Sequence, residues 1–231
     1  MFWWRKEVRP GISVAFSDDD AGNLALHVAD NPDNVMVRRA RLEAAAGLGE
    51  RRFQYMNQVH GKAVEFIAAH SDGPTADAMV STGQPLAVMV ADCVPIVLLG
   101  EVPDETDRVL AVVHAGRPGV AADIVSATVA EMRNRGAATI SAWLGPSICG
   151  ECYEVPEQLR ADVAAAVPET WSTTSWGTPA LDLPAGVRSQ LKALDVRVEY
   201  SGECTRETSR LYSYRRDQQT GRFAGLVWTH E

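Results

Sequence analysis

Three short runs of branched apolar residues dominate the middle of the sequence: Leu86–Val90, Val94–Leu99 and Val109–Val113. Runs of this length, bounded by turn-forming residues, read as buried strands. The first two are broken or bent around Asp92-Cys93-Val94-Pro95. The third leads straight into His114-Ala115-Gly116-Arg117-Pro118-Gly119, a turn-forming segment.

Helical patterns flank these strands. Asn31 is placed to cap a helix with Pro32 at its first position, Val35, Arg39, Leu42 and Ala46 along it, and Gly47 as its left-handed stop. The spacing of Ile124, Val125, Thr128, Val129 and Met132 predicts one helix from Val120 to Arg135, closed by Gly136. Strand Ile140–Leu144, a helix from about Pro156 to Ala166, helix Ala185–Leu194 and strand Val196–Tyr200 follow. Ser17–Asp20, Gly100–Asp107 and Trp171–Pro179 read as loops. The succession predicts an α/β fold, a single layered domain over residues 1–231 with mixed sheets flanked by helices.

Composition removes several functions. The 231 residues hold 22 Lys+Arg against 30 Asp+Glu, a net charge of −8, which disfavours a protein that coats nucleic-acid phosphates. No stretch approaches the roughly 18 apolar residues of a membrane span. Met1–Glu7 has no basic segment followed by an apolar run, so no signal peptide is expected. Four unevenly spaced cysteines do not make a disulfide scaffold, and a reducing cytoplasm is the expected location. The five histidines, His27, His60, His70, His114 and His230, are a short supply from which to build any metal site.

Chemistry concentrates at four places. His60, in Gln58-Val59-His60-Gly61, stands at the start of a turn. Asp92 and Cys93 adjoin at the end of an apolar run, and His114 follows another. Side chains at strand ends beside Gly-rich turns line ligand crevices in layered α/β proteins. Two imidazoles and a thiolate, with one position left for water, are the ligand set of a catalytic zinc. The spacings are too long for a local loop, so the alternative is a hydrogen-bonded histidine and a small buried thiol. Cys149 and Cys152 form a C-x-x-C, but it lies in a loop after Gly145-Pro146 and lacks a second pair, so it reads as coincidence rather than redox or ribbon chemistry. Arg215, Arg216 and Arg222 cluster near the end of the chain. They suit a phosphate or carboxylate ligand, or else a solvated hairpin.

Taken in order, Q-V-H-G, A-D-C-x-P, H-A-G-x-x-G, G-P-x-I-x-x-x-x-Y-E-V and Y-S-Y-R-R-D-x-x-T-G-R-F-A resemble one family, from about Asp30 to Trp228. It is the bacterial purine nucleoside phosphorylase and peptidoglycan editing factor family, once described as multicopper polyphenol oxidases with a laccase domain. The resemblance implies a single α/β domain and a zinc held by His60, Cys93 and His114, with copper as the alternative occupant. It implies phosphorolysis of adenosine, inosine, guanosine and methylthioadenosine, deamination of adenosine, or editing of cell-wall precursors. Purine nucleosides and phosphate would be the partners, with cell-wall or division proteins possible for a weakened, scaffolding member.

On this basis Asp92 is a proton carrier for deamination, and Arg117, Arg215, Arg216 and Arg222 are the phosphate ligands. Cys93 activated by His114 would instead suit amide cleavage, and one thiolate cannot serve both uses. A four-copper oxidase needs on the order of ten imidazoles, so five histidines exclude laccase chemistry. The family's usual Arg and paired glycines are missing from Ser17–Asn23. There Asp18, Asp19 and Asp20 would repel phosphate if the loop borders the pocket. Arg117-Pro118 replaces Trp-Arg after His114-Ala115-Gly116, and Tyr214 stands where a His is common.

Overall fold

The computed structural model describes residues 1–103 and 108–230. The chain starts with an antiparallel hairpin of β1 (Phe2–Arg9) and β2 (Ile12–Ser17), followed by a 3-10 turn at Asp19–Ala21. Helix α1 (Pro32–Ala46) starts and stops where the sequence predicts. The Asn31 side chain accepts from the backbone N–H of Asp33 at 2.8 Å, and Gly47 ends the helix at φ 80°. Then come β3 (Val64–Phe66), β4 (Ala78–Ser81), β5 (Leu86–Val90), β6 (Val94–Glu101) and β7 (Arg108–Ala115). Next are α2 (Arg117–Ala121), α3 (Ile124–Asn134), β8 (Thr139–Leu144) and α4 (Glu157–Ala166). The remaining elements are β9 (Trp171–Thr173), β10 (Pro179–Leu181), α5 (Leu183–Ala193), β11 (Arg197–Tyr200), α6 (Tyr214–Asp217) and β12 (Phe223–Thr229).

Two sheets stack in the middle. One is antiparallel, in the order β1-β2-β12-β5. The other is mixed, in the order β11-β8-β6-β7-β4-β3, with parallel pairs at both edges. Alternate residues of each strand serve different layers. Val88, Val90, Phe223 and Val227 of the first sheet meet Val97, Leu99, Leu110 and Val112 of the second. On the far side of the mixed sheet, Ile96, Leu98, Ala111 and Val113 pack on Val129 and Met132 of α3 and on Val187 and Leu191 of α5. On the far side of the antiparallel sheet, Met89, Leu226 and Trp228 pack on Leu42 and Ala46 of α1. The order of layers is therefore helix, sheet, sheet, helix. Because both faces of the central strands are covered, these strands read as unbroken apolar runs.

Four expectations need correction. The predicted helix from Val120 to Arg135 is two helices, because Asp123 adopts φ 61° and its carboxylate accepts from Ser126 N at 3.3 Å, capping α3 afresh. Trp171–Pro179 is not all loop, since β9 and β10 pair there. The closing segment is no solvated hairpin. It forms α6 and then a buried strand between β2 and β5. Gly100 and Glu101 belong to β6, and residues 104–107 of the expected loop lie outside the described residues.

Candidate metal centre and active site

Strands β5, β6 and β7 bring the site together at one end of the stacked sheets. His114 lies inside β7, one residue before its end, and is buried. Cys93 sits in the bend between β5 and β6, paired with Asp92 at φ 87°. His60 arrives on a loop that Gln58 clamps to β5: its side-chain amide donates to Met89 O at 2.7 Å and accepts from Met89 N at 2.9 Å. His60 itself takes φ 59°, a left-handed conformation. That turn is held by Asp77, whose carboxylate accepts the backbone N–H of His60 at 2.9 Å and of Gly61 at 2.6 Å.

The three predicted ligands meet. One ligand atom from each of His60, Cys93 and His114 lies within 4.8 Å of the other two. His60 Nε2 is 3.8 Å from Cys93 Sγ, and the two imidazoles stand edge to face with centroids 4.5 Å apart. Asp77 Oδ1 lies 2.8 Å from His114 Nδ1, which leaves His114 Nε2 for the site. A tetrahedral zinc with bonds of about 2.0–2.3 Å needs ligand atoms roughly 3.3–3.8 Å apart, so the trio need close by no more than about 1.5 Å. A histidine ligand whose other nitrogen is held by a carboxylate is the usual support for such a metal. The donor set therefore fits a divalent metal that favours nitrogen and sulfur.

The same proximity shifts the ionisations. Burial opposes ionisation of the Cys93 thiol, yet the charge and hydrogen bond of His114, joined by His60, bring it down to about 6. Burial likewise opposes the His114 cation, but the Cys93 sulfur and the Asp77 carboxylate lift it to about 9. Space at the centre depends on Gly116. A Cβ there would fall 2.8 Å from His60 Cδ2 and 3.3 Å from Cys93 Sγ.

The centre opens into a cavity of about 460 Å³, within the ~300–1,000 Å³ common for small-molecule sites. Arg117, Arg215 and Arg222 line it. Arg215 Nη1 donates to Glu154 O at 2.8 Å and its guanidinium lies over Tyr153. Arg222 is held by Asn23, whose side-chain oxygen accepts its backbone N–H at 3.0 Å. Arg216 is not brought to the cavity. It donates to Thr205 O at 2.9 Å, Thr208 O at 3.1 Å and Leu211 O at 2.8 Å, and so braces the preceding loop. Asp92 faces the cavity with both oxygens engaged: Oδ1 accepts from Thr205 Oγ1 at 2.6 Å and Oδ2 from Arg215 N at 2.7 Å.

Asp18, Asp19 and Asp20 do not border this cavity. Asp18 is buried, and it and Asp20 pair with Arg210, the latter at 2.7 Å. Two contributors escaped the sequence reading. Asp77 is a lone carboxylate between Ala76 and Ala78 at the mouth of a strand, and that isolation was its signal. His27 also lines the cavity, its pKa lowered by burial and by Arg222. Nothing in its local sequence marks it.

A family model described as multi-copper polyphenol oxidoreductase laccase matches residues 9–230. The chain belongs to this family. Among its relatives, the purine nucleoside phosphorylase ORF3 of Streptomyces griseus is 46% identical over 215 residues, 89% of this chain and 86% of that protein. The purine nucleoside phosphorylase Rv2149c of Mycobacterium tuberculosis is 42% identical over 220 residues, 90% of this chain and 85% of that protein. The crystal structure of Neisseria meningitidis protein NMB0706 superposes with a TM-score of 0.85 at 28% identity, covering 100% of this chain and 99% of that one.

The multi-copper cluster in the family's description finds no matching set of imidazoles in this member, whose sequence holds five histidines. His27, His60 and His114 face the cavity, whereas His230 lies against Ser13 Oγ at 2.7 Å and His70 is exposed elsewhere. Two imidazoles and one sulfur gather within reach of one another, a single three-ligand group rather than a cluster of coppers.

Proposed function

We propose that the chain is a zinc-dependent enzyme that cleaves purine nucleosides with phosphate. The observation that carries this reading is the placement of Arg117, Arg215 and Arg222 around the same cavity that His60, Cys93 and His114 face. The names of its relatives in Streptomyces and Mycobacterium support it. His60 and His114 through Nε2, and Cys93 through Sγ, would hold the zinc, which when bound supplies a Lewis acid and lowers the pKa of water to about 7.

The chain's own residues supply the rest. The three guanidinium groups gather the phosphate dianion and hold it against the ribose. A phosphate oxygen forms a bond to C1′ as the C1′–N bond breaks. The electron pair leaves with the purine, which takes up the proton that the hydrogen phosphate loses on becoming the sugar phosphate dianion. Met89, Val90, Ile148 and Leu183 give the base an apolar wall. His27, kept neutral by burial and by Arg222, offers one N–H and one lone pair to a hydroxyl or ring nitrogen. Because Asp18 and Asp20 are paired with Arg210 away from the cavity, the altered Ser17–Asn23 loop does not repel the anion. Asp92, with both oxygens engaged, positions Arg215 rather than carrying protons, so adenosine deamination ranks below phosphorolysis.

A second reading rests on its own observation. Cys93, His114 and Asp77 stand in the order of nucleophile, base and orienting carboxylate, and the thiol is brought down to about 6. Without metal, this arrangement suits amide cleavage in a cell-wall precursor. Incubating inosine with zinc-loaded and chelator-treated protein, with and without phosphate, separates the two. Free base appearing only with zinc and phosphate together supports phosphorolysis. Base release without phosphate, or by the metal-free protein, overturns it.

A further inference from the structure

A second set of ligand atoms meets beside the cavity wall. The sulfurs of Cys149, Cys152 and Cys204 and a carboxylate oxygen of Glu207 all lie within 4.8 Å of one another. The C-x-x-C that reads as coincidence along the sequence thus gains a third thiol from a distant segment. Two backbone turns build the cluster. In the first, Cys152 N and Tyr153 N both donate to Cys149 O, at 3.1 and 3.0 Å. In the second, Glu207 N and Thr208 N donate to Cys204 O, at 3.2 and 3.0 Å, which folds Glu207 back toward the sulfurs. The two turns are joined where Ser147 N donates to Glu203 O at 3.2 Å and Thr205 N to Ser147 O at 3.1 Å. Cys149 N also donates to Cys204 Sγ at 3.4 Å, the backbone support a ligating thiolate receives.

All four cysteines of the chain are free thiols, and Cys152 and Cys204 are buried. Zinc, a borderline cation, takes both soft thiolate sulfur and hard carboxylate oxygen, and C-x-x-C is the ligand spacing of structural zinc. With bonds of about 2.3 Å, tetrahedral sulfurs stand roughly 3.8 Å apart, within reach of the present arrangement. Burial, joined by the Cys204 thiol, pushes the Cys149 and Cys152 thiols up, so in the metal-free chain they are poor nucleophiles for disulfide exchange.

We propose that Cys149, Cys152, Cys204 and Glu207 form a second, structural zinc site that ties the Ser147–Tyr153 loop to the Cys204–Thr208 turn. The thiols give up their protons to the solvent as the cation enters, and no electron changes hands. The tie bears on the cavity from two sides. Ile148 and Tyr153 line the cavity, and Thr205, next to Cys204, donates to the Asp92 that holds Arg215. This site is independent of the proposed phosphorolysis, which concerns only the first centre.

The full-length chain carrying Cys93→Ala, which disables the first centre, tests the proposal. After reduction, removal of metal and titration with zinc, it is expected to retain one zinc per chain. That zinc should shield the three remaining thiols from a thiol reagent until a chelator is added. Cobalt(II) in its place should give intense sulfur-to-cobalt charge-transfer absorption, and adding Cys152→Ser should abolish both signals. If the double variant does not fold, the Cys93→Ala chain alone decides. A Cys93→Ala chain that binds no zinc, whose thiols react equally with and without it, overturns the proposal. A disulfide among the three cysteines in protein purified with zinc overturns it as well.

Discussion

Asp77 and His114 form a buried pair, with Oδ1 2.8 Å from Nδ1, and the same carboxylate fixes the turn that presents His60. One side chain therefore sets two of the three ligands of the proposed metal centre. Asp77→Asn keeps the shape but removes the charge that holds the His114 ring. Loss of such a supporting carboxylate costs about 10- to 100-fold in metal affinity, and a loss of that size is expected here in a chelator competition. Unchanged affinity would show that Asp77 is only part of the fold.

The ionisations predict the pH response of the metal-free chain. Alkylation of Cys93 is expected to rise with pH through an inflection at about 6, and His114→Ala should move that inflection upward. Stability follows the same two groups. The depressed pKa of Cys93 makes its contribution disappear as pH falls through about 6. The raised pKa of His114 makes its contribution disappear as pH rises through about 9. Between about 6 and 9 the thiolate's gain with rising pH offsets the imidazolium's loss, so thermal melts of the metal-free chain should stay nearly level across that range.

Arg222 and Arg216 are expected to behave oppositely although both belong to the closing motif. Arg222 lines the cavity, and a charge-assisted hydrogen bond contributes about 1.5–3 kcal/mol, so Arg222→Ala should raise the KM for phosphate by roughly 10- to 150-fold. Arg216 bonds four backbone carbonyls of the loop before it, those of Thr205, Arg206, Thr208 and Leu211. Arg216→Ala should lower the melting temperature, with a destabilisation of about 2–4 kcal/mol, and leave the KM for phosphate nearly unchanged in the folded fraction. Steady-state kinetics beside thermal melts checks both.

Gly116→Ala is a steric test of the centre. The backbone there, at φ −77°, accepts alanine, but the added carbon would press on His60 and Cys93. Metal affinity should drop at least ~10-fold while the melting temperature of the metal-free chain changes little, since the clash lies at an exposed imidazole. Retained affinity would place the cation elsewhere.

Much of this was legible in the sequence because it is written in local pattern. Asn31 and Gly47 bound α1 through their own backbone chemistry, and the apolar runs of β5, β6 and β7 announce burial on both faces. His60, Cys93 and His114 stood out as ligands, and the resemblance to the family joined them before any coordinates did. What was illegible depends on distance in space. Asp77 and His27 have no periodic or motif signal, and the break at Asp123 is made by a side-chain cap that the helical spacing masks. Cys204 is over fifty residues from the C-x-x-C, a separation that the hydrogen bond from Cys149 N to Cys204 Sγ spans only in the folded chain. The acidic loop looked hostile to phosphate only because Arg210, its partner, lies at the other end of the sequence.

In the proposed enzyme, two imidazoles and one thiolate hold a single zinc at the head of the arginine-lined cavity. Anomalous scattering from crystals of the zinc-loaded chain, recorded on both sides of the zinc absorption edge, tests it most directly. The expected result is a peak bonded to Nε2 of His60, Sγ of Cys93 and Nε2 of His114, about 2.0–2.3 Å from each. A map with no zinc among those three atoms would contradict it.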